Sequence, residues 1–92
     1  MISYEWGEDK NKKLIRERGI GFEIIVQNIY LQKPLAIIDH PNQKRYPNQK
    51  IIVVKINNYV WLVPFLKKGS IRFLKTAYPS RQATNKYLKR KK

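Results

Sequence analysis

Cysteine is absent from this chain of 92 residues, so no disulfide framework holds it and thiol usage does not reveal its compartment. One histidine without any cysteine excludes a structural zinc site. Glycine is scarce, and the two nearest each other, Gly19 and Gly21, do not make a phosphate-cradling loop. No apolar run approaches the ~18 residues of a membrane span, and the opening MISYEWGEDK lacks the apolar stretch of a secretory signal. A cytoplasmic protein without membrane attachment is therefore expected. The most informative scarcity is of acids. Glu5, Glu8, Asp9, Glu17, Glu23 and Asp39 are the only six, and six bases balance them within the first 39 residues. Residues 40–92 carry fourteen bases and no acid, so the net charge of +14 belongs to that segment.

What is present argues for a folded domain. The chain is 42% hydrophobic with two Trp, three Phe and six Tyr, too apolar for a disordered polycation. Its length suits one domain, residues 1–92, around a single modest core. A basic segment of this kind meets phosphate most often, with an anionic membrane surface or an acidic protein as competitors.

Periodicity sets the expected elements. Ser3–Trp6 alternates as a short strand with Tyr4 and Trp6 on one face. A charged helix follows from Glu8, with acids first and bases later, ending at Gly19. Phe22, Ile25, Val26 and Ile29 mark a second, amphipathic helix that ends before Pro34. Leu35–Asp39, Lys50–Ile56, Tyr59–Phe65 and Ile71–Thr76 then read as strands, with tight turns at Asn57-Asn58 and Lys67–Ser70. Ser80 caps a last helix from Arg81 to about Leu88, followed by a frayed basic tail at residues 89–92. Between the first two of these four strands Pro-Asn-Gln-Lys occurs twice, at 41–44 and 47–50. The predicted class is α+β: two N-terminal helices packed on an antiparallel meander sheet, with a C-terminal helix.

Several chemistries lack their residues. Glycosidases need paired carboxylates, hydrolytic triads need a nucleophile with His and an acid, and metal nucleases need carboxylates for Mg²⁺. The acids lie away from the predicted sheet in sequence, so no metal or cofactor is expected. RNA cleavage by the RNA's own 2′-hydroxyl escapes these demands. It needs a base for that proton, an acid for the 5′-oxygen and cations for the charge on phosphorus. Lys75, Tyr78 and Arg81 fall within seven residues, where the last strand turns through Pro79 into the last helix. Arg81 opposes the helix dipole in the first turn, a local conflict that points to another use. His40, the one side chain of a type that titrates near neutrality, stands before Pro41 at a strand end. Lys75 and Arg81 are the expected phosphate ligands, with His40 or Tyr78 as proton-transfer partner. Arg72, Lys55 and Lys86 are expected RNA contacts, as are Arg45, Tyr46 and Lys50 of the polar loop, which also holds Lys44. Tyr59 and Trp61 could stack bases or fill the core. The alternative is a non-catalytic RNA- or DNA-binding module; a third reading is a domain for an acidic protein partner.

The motifs also carry a family resemblance. Tyr4-Glu5-Trp6, Lys10, Leu14, Gly19-Ile20 and Phe22 resemble the N-terminal signature of BrnT-type toxins, an aromatic-Glu-Trp-Asp opening, a Lys four positions on, and Gly-Ile/Val-x-Phe before a second helix. Ser80-Arg81-Gln82-Ala83-Thr84 is similar to their C-terminal motif, a small residue followed by Arg-Lys-Ala-Thr. The resemblance covers both ends and the element order but not the middle. It implies a RelE-like fold and a metal-independent endoribonuclease acting on free or ribosome-bound mRNA. It also implies a hetero-oligomer with a small DNA-binding antitoxin, of ribbon-helix-helix type, that covers the active surface. The family's basic residue on the last strand maps to Lys75 and its motif arginine to Arg81. The chain departs from the pattern at Gly7, where Asp is usual, and at Gly21, where Ser commonly caps the second helix. It departs again at Tyr78-Pro79 and in the repeated PNQK loop. An exposed edge strand would suit dimerisation or antitoxin strand addition.

Overall fold

The computed structural model describes residues 2–88, so the basic tail expected at 89–92 lies outside the described residues. In chain order the elements are β1 (Ser3–Trp6), α1 (Glu8–Arg18), α2 (Phe22–Leu31), β2 (Ala36–Asp39), β3 (Gln49–Ile56), β4 (Tyr59–Lys68), β5 (Ile71–Leu74), β6 (Tyr78–Pro79) and α3 (Arg81–Tyr87). The class is α+β, as the element pattern predicted.

Local chemistry sets the boundaries. α1 stops where Gly19 adopts φ 85° and donates its N–H to the Ile15 carbonyl. Neither Gly7 nor Gly21 can cap a helix through a side chain. For α2 the remedy comes from outside: Asn11, only 8% exposed, accepts the Phe22 N–H on its Oδ1 at 2.8 Å. That bond needs the two helices close together. A Cβ on Gly21 would meet Asn11 Oδ1 at 2.7 Å and Ile15 Cγ1 at 2.9 Å, so glycine is required there. The β3–β4 hairpin turns on Asn57 and Asn58 at φ 53° and 65°, and the β4–β5 turn on Gly69 at φ 62°.

The sheet order is β1-β5-β4-β3-β2. Strands β2 to β5 form the expected antiparallel meander, but β1 enters beside β5 and runs parallel to it, from Ser3 opposite Ile71 to Trp6 opposite Leu74. The sheet is mixed, which corrects the all-antiparallel expectation. Parallel neighbours need a long crossover, and here the chain from α1 through β4 separates the two strands. No local signal announces such a pairing.

Pro64 breaks the other regularity. Its carbonyl accepts the Lys75 N–H at 2.9 Å, but proline has no N–H to return. The β4–β5 ladder ends at Phe65 opposite Leu74, and pairing resumes only at Leu62 opposite Tyr78. Three residues, Lys75 to Ala77, thus oppose two, Val63 and Pro64, and form a bulge. The expected strand Ile71–Thr76 therefore ends at Leu74.

Helices α1 and α2 cover one sheet face. Leu14, Phe22, Ile25 and Ile29 pack on Ile52, Val54, Trp61, Val63, Phe65 and Leu74, and Trp6 stacks on Phe22 with ring centroids 5.7 Å apart. Each fully buried large side chain contributes roughly 1.5–3 kcal/mol. Trp61 belongs to this core. Helix α3 lies on β4 and is tied to it through Thr84, 2% exposed, whose Oγ1 accepts the Val60 N–H at 2.9 Å and donates to the Ser80 carbonyl at 2.7 Å. Ser80 Oγ accepts the Ala83 N–H at 3.1 Å. The Ser-x-x-x-Thr spacing is thus a cap and an anchor that leave Arg81 and Gln82 exposed.

Candidate nucleic-acid interface

Strand register assigns the faces. Because Phe65 opposes Leu74 and Lys67 opposes Arg72, the even-numbered β5 residues share the helix-covered face with Trp61 and Val63. Leu66 opposite Phe73 and Lys68 opposite Ile71 form the other face. Helix α3 shields one end of that face, leaving a cavity of about 250 Å³ lined by Ile38, Val53, Leu62, Ala83, Lys86 and Tyr87. Toward β5, Leu66, Ile71 and Phe73 remain half-buried.

Cations gather at this half-open surface. The Phe73 ring lies under two ammonium groups, Lys68 Nζ at 5.8 Å and Lys75 Nζ at 5.5 Å from its centroid. Among the described residues the one salt bridge is Lys50 with Asp39, so Lys68, Lys75 and Arg81 have no carboxylate within ion-pair distance there. All three are exposed. Tyr78, half-buried, pairs with Leu62 on the same edge of β4, between Lys75 and Arg81. These three residues lie on the one segment that leads from β5 through the bulge and β6 into α3.

The same surface has an acid that sequence position hid. Glu5 is the direct partner of Phe73 across the parallel β1–β5 pair, and it is exposed. The expectation that carboxylates stay away from the sheet is corrected by that pairing and by Asp39, which ends β2 opposite Lys50. Lys68 and Phe73 were also missed; the alternation that put Phe73 beside Lys75 could have found Phe73, whereas nothing local marks Glu5.

His40 lies elsewhere. Its N–H donates to the Gln49 carbonyl at 3.1 Å, beyond the end of β2, and β3 and β4 separate β2 from β5. Three strand spacings put His40 roughly 14 Å from the β5 side. Its Nδ1 accepts the Asn42 N–H at 3.0 Å and its ring is 4.5 Å from that of Tyr46, which Arg45 overlies at 5.6 Å. The PNQK loop thus packs on itself, closed by Tyr46 N–H to the Asn42 carbonyl at 2.9 Å, and stands at the opposite rim from Lys75.

The remaining expected RNA contacts are scattered. Arg72 sits on the covered face, donating from Nη1 to Tyr4 Oη at 3.2 Å, with its guanidinium 5.1 Å from the Phe65 centroid. It clamps β1 to β5. Lys50 reaches Asp39 Oδ1 at 2.6 Å on the helix side. Lys55, half-exposed, opposes Val60, and its carbonyl accepts from Gln32 Nε2 at 2.7 Å. Lys86 lies 5.4 Å over Tyr87 at the α3 cavity. Among the described residues no helix is long and apolar enough to cross a membrane. Compared with protein-family models, curated proteins and solved structures, the chain matches none.

Proposed function

We propose that this protein is a metal-independent endoribonuclease, the toxin of a toxin-antitoxin pair, acting on mRNA in the cytoplasm. One observation carries the reading: exposed lysines without salt-bridge partners sit over a half-buried aromatic ring on an open sheet face, with a carboxylate beside the ring. The likeness of its end motifs to BrnT-type toxins points the same way. In the proposed reaction the 2′-oxygen attacks phosphorus and the bond to the 5′-oxygen breaks, giving a 2′,3′-cyclic phosphate and a 5′-hydroxyl. Lys75 and Arg81 hold the phosphate and offset its added charge. Glu5 takes the 2′-proton, and Tyr78 delivers one to the leaving oxygen. Phe73 stacks a base. A ribbon-helix-helix antitoxin would cover this face.

The test is inducible expression scored for growth arrest and RNA loss. Lys75→Ala with Arg81→Ala should abolish both while the melting transition stays put; undiminished toxicity in the folded double variant sinks the assignment. Glu5→Gln should lose cleavage yet retain RNA binding. A second reading, binding without cleavage, is favoured by the separation of His40 from Lys75 across two strands. It predicts RNA retention at low salt with no cleaved product.

A further inference from the structure

Helix α1 buries only Asn11 and Leu14. Around Leu14 stand Lys10, Lys13, Glu17 and Arg18, three cations and one acid, all exposed. They line a cavity of about 250 Å³ whose opposite wall is the bulge, Thr76 to Tyr78. That volume is below the roughly 300–1,000 Å³ of drug-sized ligand pockets and suits a small group such as a phosphate with its sugar.

We propose that this cavity binds a phosphodiester of single-stranded RNA flanking the one held by Lys75 and Arg81. The inference rests on the RNA-binding reading of the open face. Lys75 immediately precedes the cavity wall and Arg81 follows it by three residues, so one segment serves both places. The route between them is open. β1 pairs with β5 only as far as Trp6 opposite Leu74, and β6 pairs only with β4, so no described strand flanks the outer side of the bulge. Lys10, Lys13 and Arg18 are exposed, and among the described residues none has a salt-bridge partner. The neutral sum of the N-terminal half conceals this: Glu5 lies in β1 and Glu8 and Asp9 in the first turn of α1, leaving Glu17 as the one acid at the cavity.

The experiment uses the full chain and a 2′-O-methyl oligoribonucleotide of about twelve residues, whose blocked nucleophile separates binding from cleavage. Affinity is followed by fluorescence anisotropy between about 50 and 200 mM salt. Lys10→Gln with Lys13→Gln should weaken binding on the order of tenfold and reduce the slope of log affinity against log salt by about 0.7, the value for the one phosphate the cavity holds. Lys12→Gln with Arg16→Gln removes the same charge from α1 outside the cavity and should change the slope by less than half as much. Equal effects from the two double variants overturn the proposal, because bulk charge then explains the binding. Inorganic phosphate shifting the Thr76 and Tyr78 amide resonances at millimolar concentration, with no difference between the variants toward the oligonucleotide, also overturns it. Absence of cleavage of unblocked RNA, with the variant difference intact, removes the nuclease reading and leaves the cavity assignment standing.

Discussion

The two faces of the sheet are made from the same strands and obey different rules. On the covered face Arg72 is packed against Tyr4, to whose hydroxyl it donates, and Phe65, which is 1% exposed. On the open face Phe73, one residue from Arg72, is half-exposed under two lysines without a salt-bridge partner among the described residues. Adjacent residues of one short strand thus take opposite roles because alternate side chains point to opposite sides. Basic character by itself does not mark an interface. What distinguishes the surface is that its cations stand exposed over a half-buried ring, whereas Arg72 is packed against Tyr4 and Phe65.

Like substitutions on the two faces sharpen the contrast. Phe65→Ala should cost about 3–5 kcal/mol, whereas Phe73→Ala should cost less than about 1.5 kcal/mol and weaken RNA binding several-fold. Urea denaturation of the pair checks this, and equal costs would erase the distinction between the faces. Thr84→Val should cost about 1–3 kcal/mol, because the Val60 N–H loses its partner under α3; thermal melts and faster amide exchange at Val60 report it. On the covered side Asn11→Ala should cost about 1 kcal/mol by uncapping α2, read as a lower midpoint in urea. Smallest are the surface changes. Lys50→Ala should shift stability by no more than about 0.5 kcal/mol, since its side chain and that of Asp39 are 45% and 70% exposed. Lys68→Ala should be equally neutral for stability but lower RNA retention at low salt, and a filter-binding assay separates the two lysines.

Much of the local structure was legible. Gly19 ended α1, the stripe from Phe22 to Ile29 gave α2, and Asn57-Asn58 gave the hairpin, each through chemistry confined to a few neighbouring residues. The α3 motif was legible as a cap, though Thr84 showed its role as an anchor only once β4 lay beneath it. Pro64 was a readable warning within a strand that was read as regular, and its missing N–H is the reason Lys75 leaves the ladder. The candidate site was legible in part. Lys75, Tyr78 and Arg81 stay on one short segment between β5 and α3, but His40 went to the far rim and Arg72 to the covered face.

The sequence by itself determined the three helices and the strands other than β6, the single amphipathic helix that must bury its stripe, and the excess of positive charge after residue 39. These depend on residue type and short-range spacing. The tertiary structure decided which charges share a surface. Pairing β1 in parallel with β5 brought Glu5 to Phe73, and packing α1 beside the bulge turned Lys10, Lys13 and Arg18 toward Thr76. The scarcity of acids in the basic segment therefore does not carry over to its surface. Strand pairing joins residues nearly seventy positions apart, as Glu5 to Phe73; that contact is fixed by the burial of Tyr4 and Trp6 against the common core, which no local pattern encodes.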